Sequence, residues 1–383
     1  MSMFADLRIS RVPAGAFVGV GLFWGSFAAM LPALKARLDL SDSHLGLILL
    51  TAAAGALVAM ALAPRVDAAW PRMGLTLSGL AMAFAVLPIG LADTFWIFAI
   101  GMVAIGTATG LYDILGNARV SRLEARHDLA LMNLNHALYS FSYAAAAMMA
   151  GLAREAAIAP GLWFAIVAAL ILCAVALTWT ARPQKGAAPD APQNSRGPVS
   201  AFVWGAGLVV LIGFFAENAT EGWSALHIER TLEGGAAQGA LGPAMLGLTM
   251  GIGRLAGHMV TVRGGEMRVL FWSALIAAVG LGIAAVAPVP VVAYVGFGLL
   301  GLGVSVVGPL AIALAGQTAP ARERTLAVSR AAMIGYFGFF LGPPLMGFMS
   351  EAFGLRVAFA MGAAMVLVIP VVLLPWMRRA RRA

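Results

Sequence analysis

The sequence predicts an all-α membrane protein of twelve transmembrane helices in two pseudo-symmetric six-helix bundles. Three observations carry that expectation. Of 383 residues, 61% are hydrophobic and only 11% are charged, against roughly 25% charged in soluble domains. Apolar runs long enough to cross a bilayer core recur along the whole chain. One polar stretch, Ala181–Pro198 (ARPQKGAAPDAPQNSRGP), divides those runs into equal sets. Its composition cannot bury enough apolar surface to offset ordering, so it reads as a solvated linker. Residues 1–180 are the expected N-terminal bundle, 181–198 the cytoplasmic linker and 199–383 the C-terminal bundle.

In order, the first half contains Val12–Leu34, Leu45–Ala63, Leu75–Leu91, Phe95–Val120, Leu129–Leu152 and Ala159–Thr180. The second half contains Val199–Ala225, Leu241–Val260, Val269–Ala287, Val291–Ala315, Thr325–Met349 and Val357–Met377. Arg8 and Arg11 before the first run imitate a signal peptide, but the run is too long for one and reads as a retained span.

The net charge of +8 is a matter of orientation. With the N-terminus inside, basic residues crowd the inner turns (Arg65, Arg72, Arg119, Arg122, Arg126), the linker and the tail Arg378–Arg382. The outer turns hold only Lys35, Arg37, Arg154, Arg230 and Arg356. Both termini are therefore expected in the cytoplasm. Trp96, Trp163, Trp179, Trp204, Trp223 and Trp376 fall near span ends, as an interfacial belt requires. The single cysteine, Cys173, excludes an internal disulfide and a cysteine metal cluster. No Gly-rich nucleotide cradle occurs, nor a His-Glu-x-x-His or Gly-x-Ser-x-Gly motif. Neither cofactor nor metal is expected, and nucleic acid is not an expected partner.

Chemistry must come from polar groups inside the spans, where an ionisable side chain costs about 2.5–3.5 kcal/mol on insertion scales and needs a partner or a cavity. Glu217 and Glu221 lie one helical turn apart in span seven, beside Asn218, and suit proton coupling. Glu221, nearer the interface, also reads as a solvated rim residue. Asp113 has Asn117 one turn on; it reads either as a proton site or as a structural ion pair with Arg330 or Arg254. Span five opens with Asn133, Asn135 and His136, followed by Tyr139, Ser140 and Tyr143. Helical spacing puts Asn133, His136, Ser140 and Tyr143 on one face, which borders a cavity or bonds a neighbouring helix. An unperturbed imidazole titrates near neutral pH, so His136 is a further proton candidate. Trp24, Tyr336, Phe337 and Phe339 are candidates for an aromatic pocket, or ordinary packing.

The halves repeat weakly: Ala61–Pro64 (ALAP) matches Arg254–Gly257 (RLAG), and Gly106–Gly110 (GTATG) matches Gly296–Gly303 (GFGLLGLG). Parallel six-span repeats of this kind resemble the major facilitator superfamily. The stretches Gly110–Glu124 (GLYDILGNARVSRLE), Met132–Ser140 (MNLNHALYS), Glu217–Ala225 (ENATEGWSA) and Gly335–Gly347 (GYFGFFLGPPLMG) resemble its YbjJ/MosC-like bacterial branch. The resemblance covers nearly the whole chain. It implies a monomeric secondary transporter of the bacterial inner membrane, working by alternating access and proton-coupled. Its partners would be protons, lipid and a small polar or amphiphilic solute, such as a sugar-like or organic-acid compound. The alternatives are a non-transporting receptor or scaffold on the same fold, and a drug or metabolite exporter. The superfamily's turn G-x-L-A-D-R-x-G-R is replaced by APRVDAAWPRM at Ala63–Met73. Its counterpart keeps Gly253, Arg254 and Gly257 but has His258 in place of an acid. Arg254, His258 and Arg330 are expected at an inner gate, with its acid–base latch weakened or pH-dependent.

Overall fold

The computed structural model describes residues 3–179 and 200–381. The expected linker, 181–198, lies outside the described residues. A short helix Met3–Ile9 leads into the first long one. The N-terminal bundle comprises α1 (Arg11–Arg37), α2 (Asp42–Ala69), α3 (Gly74–Leu91), α4 (Phe95–His127), α5 (Met132–Glu155) and α6 (Pro160–Ala176). The C-terminal bundle comprises α7 (Ala201–Thr231), α8 (Ala236–Gly264), α9 (Glu266–Val286), α10 (Pro290–Thr318), α11 (Arg324–Phe353) and α12 (Leu355–Ala380).

Among the described residues, nine of these helices are long and apolar enough to span a membrane. The other three occupy expected span positions: α6 is shorter, and α5 and α8 carry the polar groups described below. Several helices outrun their apolar segments. The helix α4 continues to His127, and α8 starts at Ala236 and ends at Gly264. Pro88 falls at the break within α3 (Leu87–Leu91 after Gly74–Ala85), where a missing backbone N–H interrupts the ladder.

Small residues set the helix spacing, as they do where van der Waals packing rather than hydrophobic transfer drives association. A Cβ at Gly106 on α4 would strike the Ala52 carbonyl oxygen of α2. A Cβ at Gly301 on α10 would come within 2.5 Å of the Leu246 carbonyl oxygen of α8. The two weakly repeated glycine segments thus make equivalent close contacts in the two bundles. The bundles meet along α5–α8 and α2–α11, with α1 against α7. At the α2–α11 seam a Cβ on Gly46 would lie 2.5 Å from the Pro343 carbonyl oxygen, and one on Gly347 equally near the Asp42 carbonyl oxygen.

The aromatic belt is smaller than expected. Trp96, Trp179, Trp204 and Trp376 are exposed, but Trp163 and Trp223 are buried within the bundles. An indole near a span end packs inward when its helix face does, and composition does not reveal that face.

Close packing of α1 on α5 yields a test. At Gly25 a Cβ would overlap the backbone carbonyl of Tyr143, which has no side-chain freedom to yield. Gly25→Ala should cost about 1–3 kcal/mol by overpacking and lower the melting temperature of the purified protein by several degrees. An unchanged melting temperature would show that this contact does not constrain the bundle.

Candidate functional site

The site is a cavity of about 340 Å³ between the bundles. From the N-terminal bundle it is lined by Trp24 and Phe27 of α1, small residues of α2 including Ala52, Ala53 and Ala56, Asp113 of α4, and His136 and Tyr139 of α5. The C-terminal bundle contributes Phe214, Glu217, Asn218 and Glu221 of α7, Arg254 of α8, and Tyr336, Phe339, Phe340 and Pro343 of α11. The walls are mainly apolar and aromatic, and the charged groups gather where α4, α5, α7 and α8 converge.

Arg254 organises that cluster. Its guanidinium lies 3.4 Å from Glu217 Oε1, and the two side chains are only 14% and 12% exposed. It also donates to Ser140 Oγ and, at 3.3 Å, to the backbone oxygen of His136, both on the opposite bundle. Its cationic carbon stands 5.8 Å from the centre of the Tyr139 ring, within cation–π range. The Tyr139 hydroxyl donates to Glu221 Oε1 at 3.4 Å. A single guanidinium thus touches both bundles and links the two carboxylates through an aromatic ring.

A second branch holds Asp113. Asn117 Nδ2 donates to the Asp113 backbone oxygen at 2.9 Å, leaving Asn117 Oδ1 to accept from His136 Nε2 at 3.2 Å. That arrangement puts the His136 proton on Nε2, while its ring packs edge-on against Phe17 with centroids 4.8 Å apart.

The structure therefore gathers Asp113, His136, Tyr139, Glu217, Asn218, Glu221, Trp24 and Tyr336 in the cavity wall. Asn117 and Ser140 sit behind it as hydrogen-bond partners. Glu221 is in the wall rather than on a solvated rim. Two expectations change. Arg254 lines the cavity instead of an inner gate, because α8 runs ten residues beyond it to Gly264, about 15 Å of helix. Asn133 and Asn135 are away from the cavity: Asn133 is exposed in the first turn of α5, and Asn135 is buried with its amide donating to the Leu131 carbonyl. Arg330 is half-buried on α11, nearer that helix's start than the cavity-lining Tyr336. His258 lies on α8, but its side chain falls outside the described residues. Phe337 is exposed on the outer surface, 57% accessible, while its neighbours Tyr336 and Phe339 face the cavity. Within the atypical Ala63–Met73 segment, Asp67 in the last turns of α2 pairs with Arg122 of α4 at 3.1 Å.

A second ionic network, not anticipated from the sequence, ties the bundles together at the end opposite the chain termini. There α7 finishes in a π-helical turn, His227–Thr231, a rare geometry found frequently at functional sites. Glu229 in that turn receives two bonds from Arg154 of α5, at 2.6 and 2.8 Å. Arg230 lies 2.6 Å from Asp42, which opens α2 and is 4% exposed. Asp42 also pairs with Lys35 at 3.1 Å and accepts from Ser350 of α11. Glu351 accepts from the backbone N–H of Ser43, and Glu155 from that of Ala237. The signal in the sequence was the charge at span ends, but its pairing across the bundles leaves no local trace.

Two helical bundles that enclose a charged cavity and are latched on one side have the architecture of a membrane carrier. Comparisons agree. A sequence profile of the Major Facilitator Superfamily matches residues 14–268 and 255–383. An uncharacterized MFS-type transporter of Yersinia pestis is 30% identical over 368 residues, covering 92% of each chain. The membrane protein MosC of Rhizobium meliloti is 27% identical, over 91% of this chain and 85% of that one. Among solved structures, a bacterial homologue of the human lysosomal transporter Spinster, inward-facing and unoccupied, superposes with a TM-score of 0.74 at 16% identity, covering 100% of this chain and 98% of that one. The nucleoside transporter NupG gives 0.72 at 13% identity, over 97% of this chain and 98% of that one. The chain belongs to the major facilitator superfamily, a family of membrane transporters.

The far-end network predicts a shift in conformational balance. Asp42→Asn keeps the side chain's size but removes the charge shared by Lys35 and Arg230. In a Cys173→Ala background, a cavity cysteine introduced by Leu49→Cys should then react several-fold faster with an impermeant thiol reagent applied at that end. Equal reactivity with and without Asp42→Asn would show that the network does not hold the bundles together.

Proposed function

We propose that the chain is a secondary active carrier of the bacterial inner membrane, moving a small polar or amphiphilic solute by alternating access with proton coupling. The observation that carries this reading is Arg254: it bonds Ser140 and His136 across the bundle interface while its ionic partner, Glu217, lies one turn from Glu221. A proton arriving on Glu217 cancels the charge that balances Arg254. The strength of the inter-bundle contact then depends on proton occupancy. A ligand shifts a conformational equilibrium only through such a difference in interaction between the two states.

The basic bias of the turns supports cytoplasmic termini. In that orientation the network of Asp42, Arg230, Arg154 and Glu229 faces the outside, and the latched arrangement is the one closed to it. Asp113 and His136, which line the same cavity, offer a second place for a proton. A buried guanidinium held mainly by carboxylate and hydroxyl groups is also costly as mere scaffolding, which favours a working site over a static receptor.

Glu217→Gln should abolish accumulation driven by a pH gradient in proteoliposomes while leaving solute exchange at equal pH largely intact. Gradient-driven accumulation at the wild-type level in this variant would remove Glu217 from the coupling mechanism.

A further inference from the structure

The cavity's charge balance narrows the solute. Three carboxylates, Asp113, Glu217 and Glu221, line it together with one guanidinium, Arg254. Arg254 is committed to Glu217 at 3.4 Å. Glu221 is met by the Tyr139 hydroxyl, a neutral donor, at 3.4 Å. Asn117, bonded to the His136 ring, donates to the backbone oxygen of Asp113, and among the described residues Asp113 has no ion pair in the cavity, so it is a second acid that adds to the negative charge there. The site is therefore acid-rich inside walls that are mostly apolar, and a buried carboxylate without a counter-charge is costly. A proton can neutralise Glu221; so can the positive group of a solute.

The walls add a second, independent constraint. Tyr139 stands beside Glu221, and Trp24, Phe214, Tyr336 and Phe339 supply further ring surface. Phe214 and Phe339 stack with centroids 4.6 Å apart, and Tyr336 leans on both. Aromatic faces attract cations and accommodate flat apolar bodies. A volume of about 340 Å³ is at the small end of the roughly 300–1,000 Å³ typical of ligand sites, so the solute is compact.

We propose that this cavity selects monovalent organic cations with a compact apolar or aromatic body, and that Glu221 is the counter-charge that binds them. An organic acid would add a negative charge to a site already rich in carboxylates. The inference rests on the carrier reading above for movement of the solute, but not for its binding.

The test uses the full chain in phosphatidylcholine nanodiscs and three probes of similar body and different charge: benzyltrimethylammonium, benzyl alcohol and phenylacetate. Calorimetry should rank the cation first and the anion last. Glu221→Gln should weaken cation binding by about tenfold, the effect of a 1.4 kcal/mol contact, and leave benzyl alcohol within about twofold of wild type. Should Glu221→Gln fail to fold, Glu221→Asp takes its place; with the charge kept but drawn back, it should retain the cation preference at reduced affinity. No saturable cation binding, phenylacetate binding as tightly as the cation, or cation affinity indifferent to Glu221 would each overturn the proposal. Glu221-dependent cation binding without counterflow in proteoliposomes would sink the carrier reading alone. Flux without any preference for positive charge would sink this inference alone.

Discussion

A guanidinium in an apolar interior must be compensated, and the site is arranged around meeting that demand for Arg254. The residue belongs to the C-terminal bundle, yet two of its hydrogen bonds end on α5 of the other bundle. Its ionic partner is on α7, and its face is covered by Tyr139. Removing any of these groups leaves charge or hydrogen-bonding capacity exposed to a low-dielectric surround. The polarity of the cavity and the proposed sensitivity to protons follow from this one placement.

The surrounding architecture makes the placement possible. Close contact at the Gly25, Gly46, Gly106 and Gly347 positions lets helix backbones approach without intervening side chains. The charged groups are thereby held within reach of one another. At the far end the ionic network of Asp42, Arg230, Arg154 and Glu229 fixes the bundles in register. Arg230 is 48% accessible, whereas Arg154, Glu229 and Asp42 are 11%, 16% and 4% accessible. Solvent screens the exposed guanidinium of Arg230, so the Asp42–Arg230 pair is the half of the network that releases more easily. A buried, unyielding seam would make a static protein, and a carrier needs two states of similar free energy.

Much of the architecture was legible in the sequence because the bilayer imposes a coarse code. Helices must be long and apolar, and intramembrane charges must face inward. The acids Glu217, Glu221 and Asp113 and the aromatics Trp24 and Tyr336 stood out for that reason, and all of them line the cavity. Depth was harder to read. Arg254 looked terminal because the apolar run stops at Val260, whereas α8 continues to Gly264. Asn133 and Ser140 share a helical face by spacing, but α5 begins at Met132, so Asn133 falls in an exposed first turn. Pairings such as Asp42 with Arg230, 188 residues apart in sequence, depend on how two bundles dock. Helix periodicity carries no information about that.

The central claim is that Arg254 and Glu217 act as one buried, charge-compensated unit. Its most direct test is the double-mutant cycle of Arg254→Gln and Glu217→Gln, read as the melting temperature of the purified protein. Coupled charges predict that Arg254→Gln alone, which strands the Glu217 carboxylate, is more destabilising than the double substitution. Losses that simply add, with the double variant the least stable of all, would contradict the account.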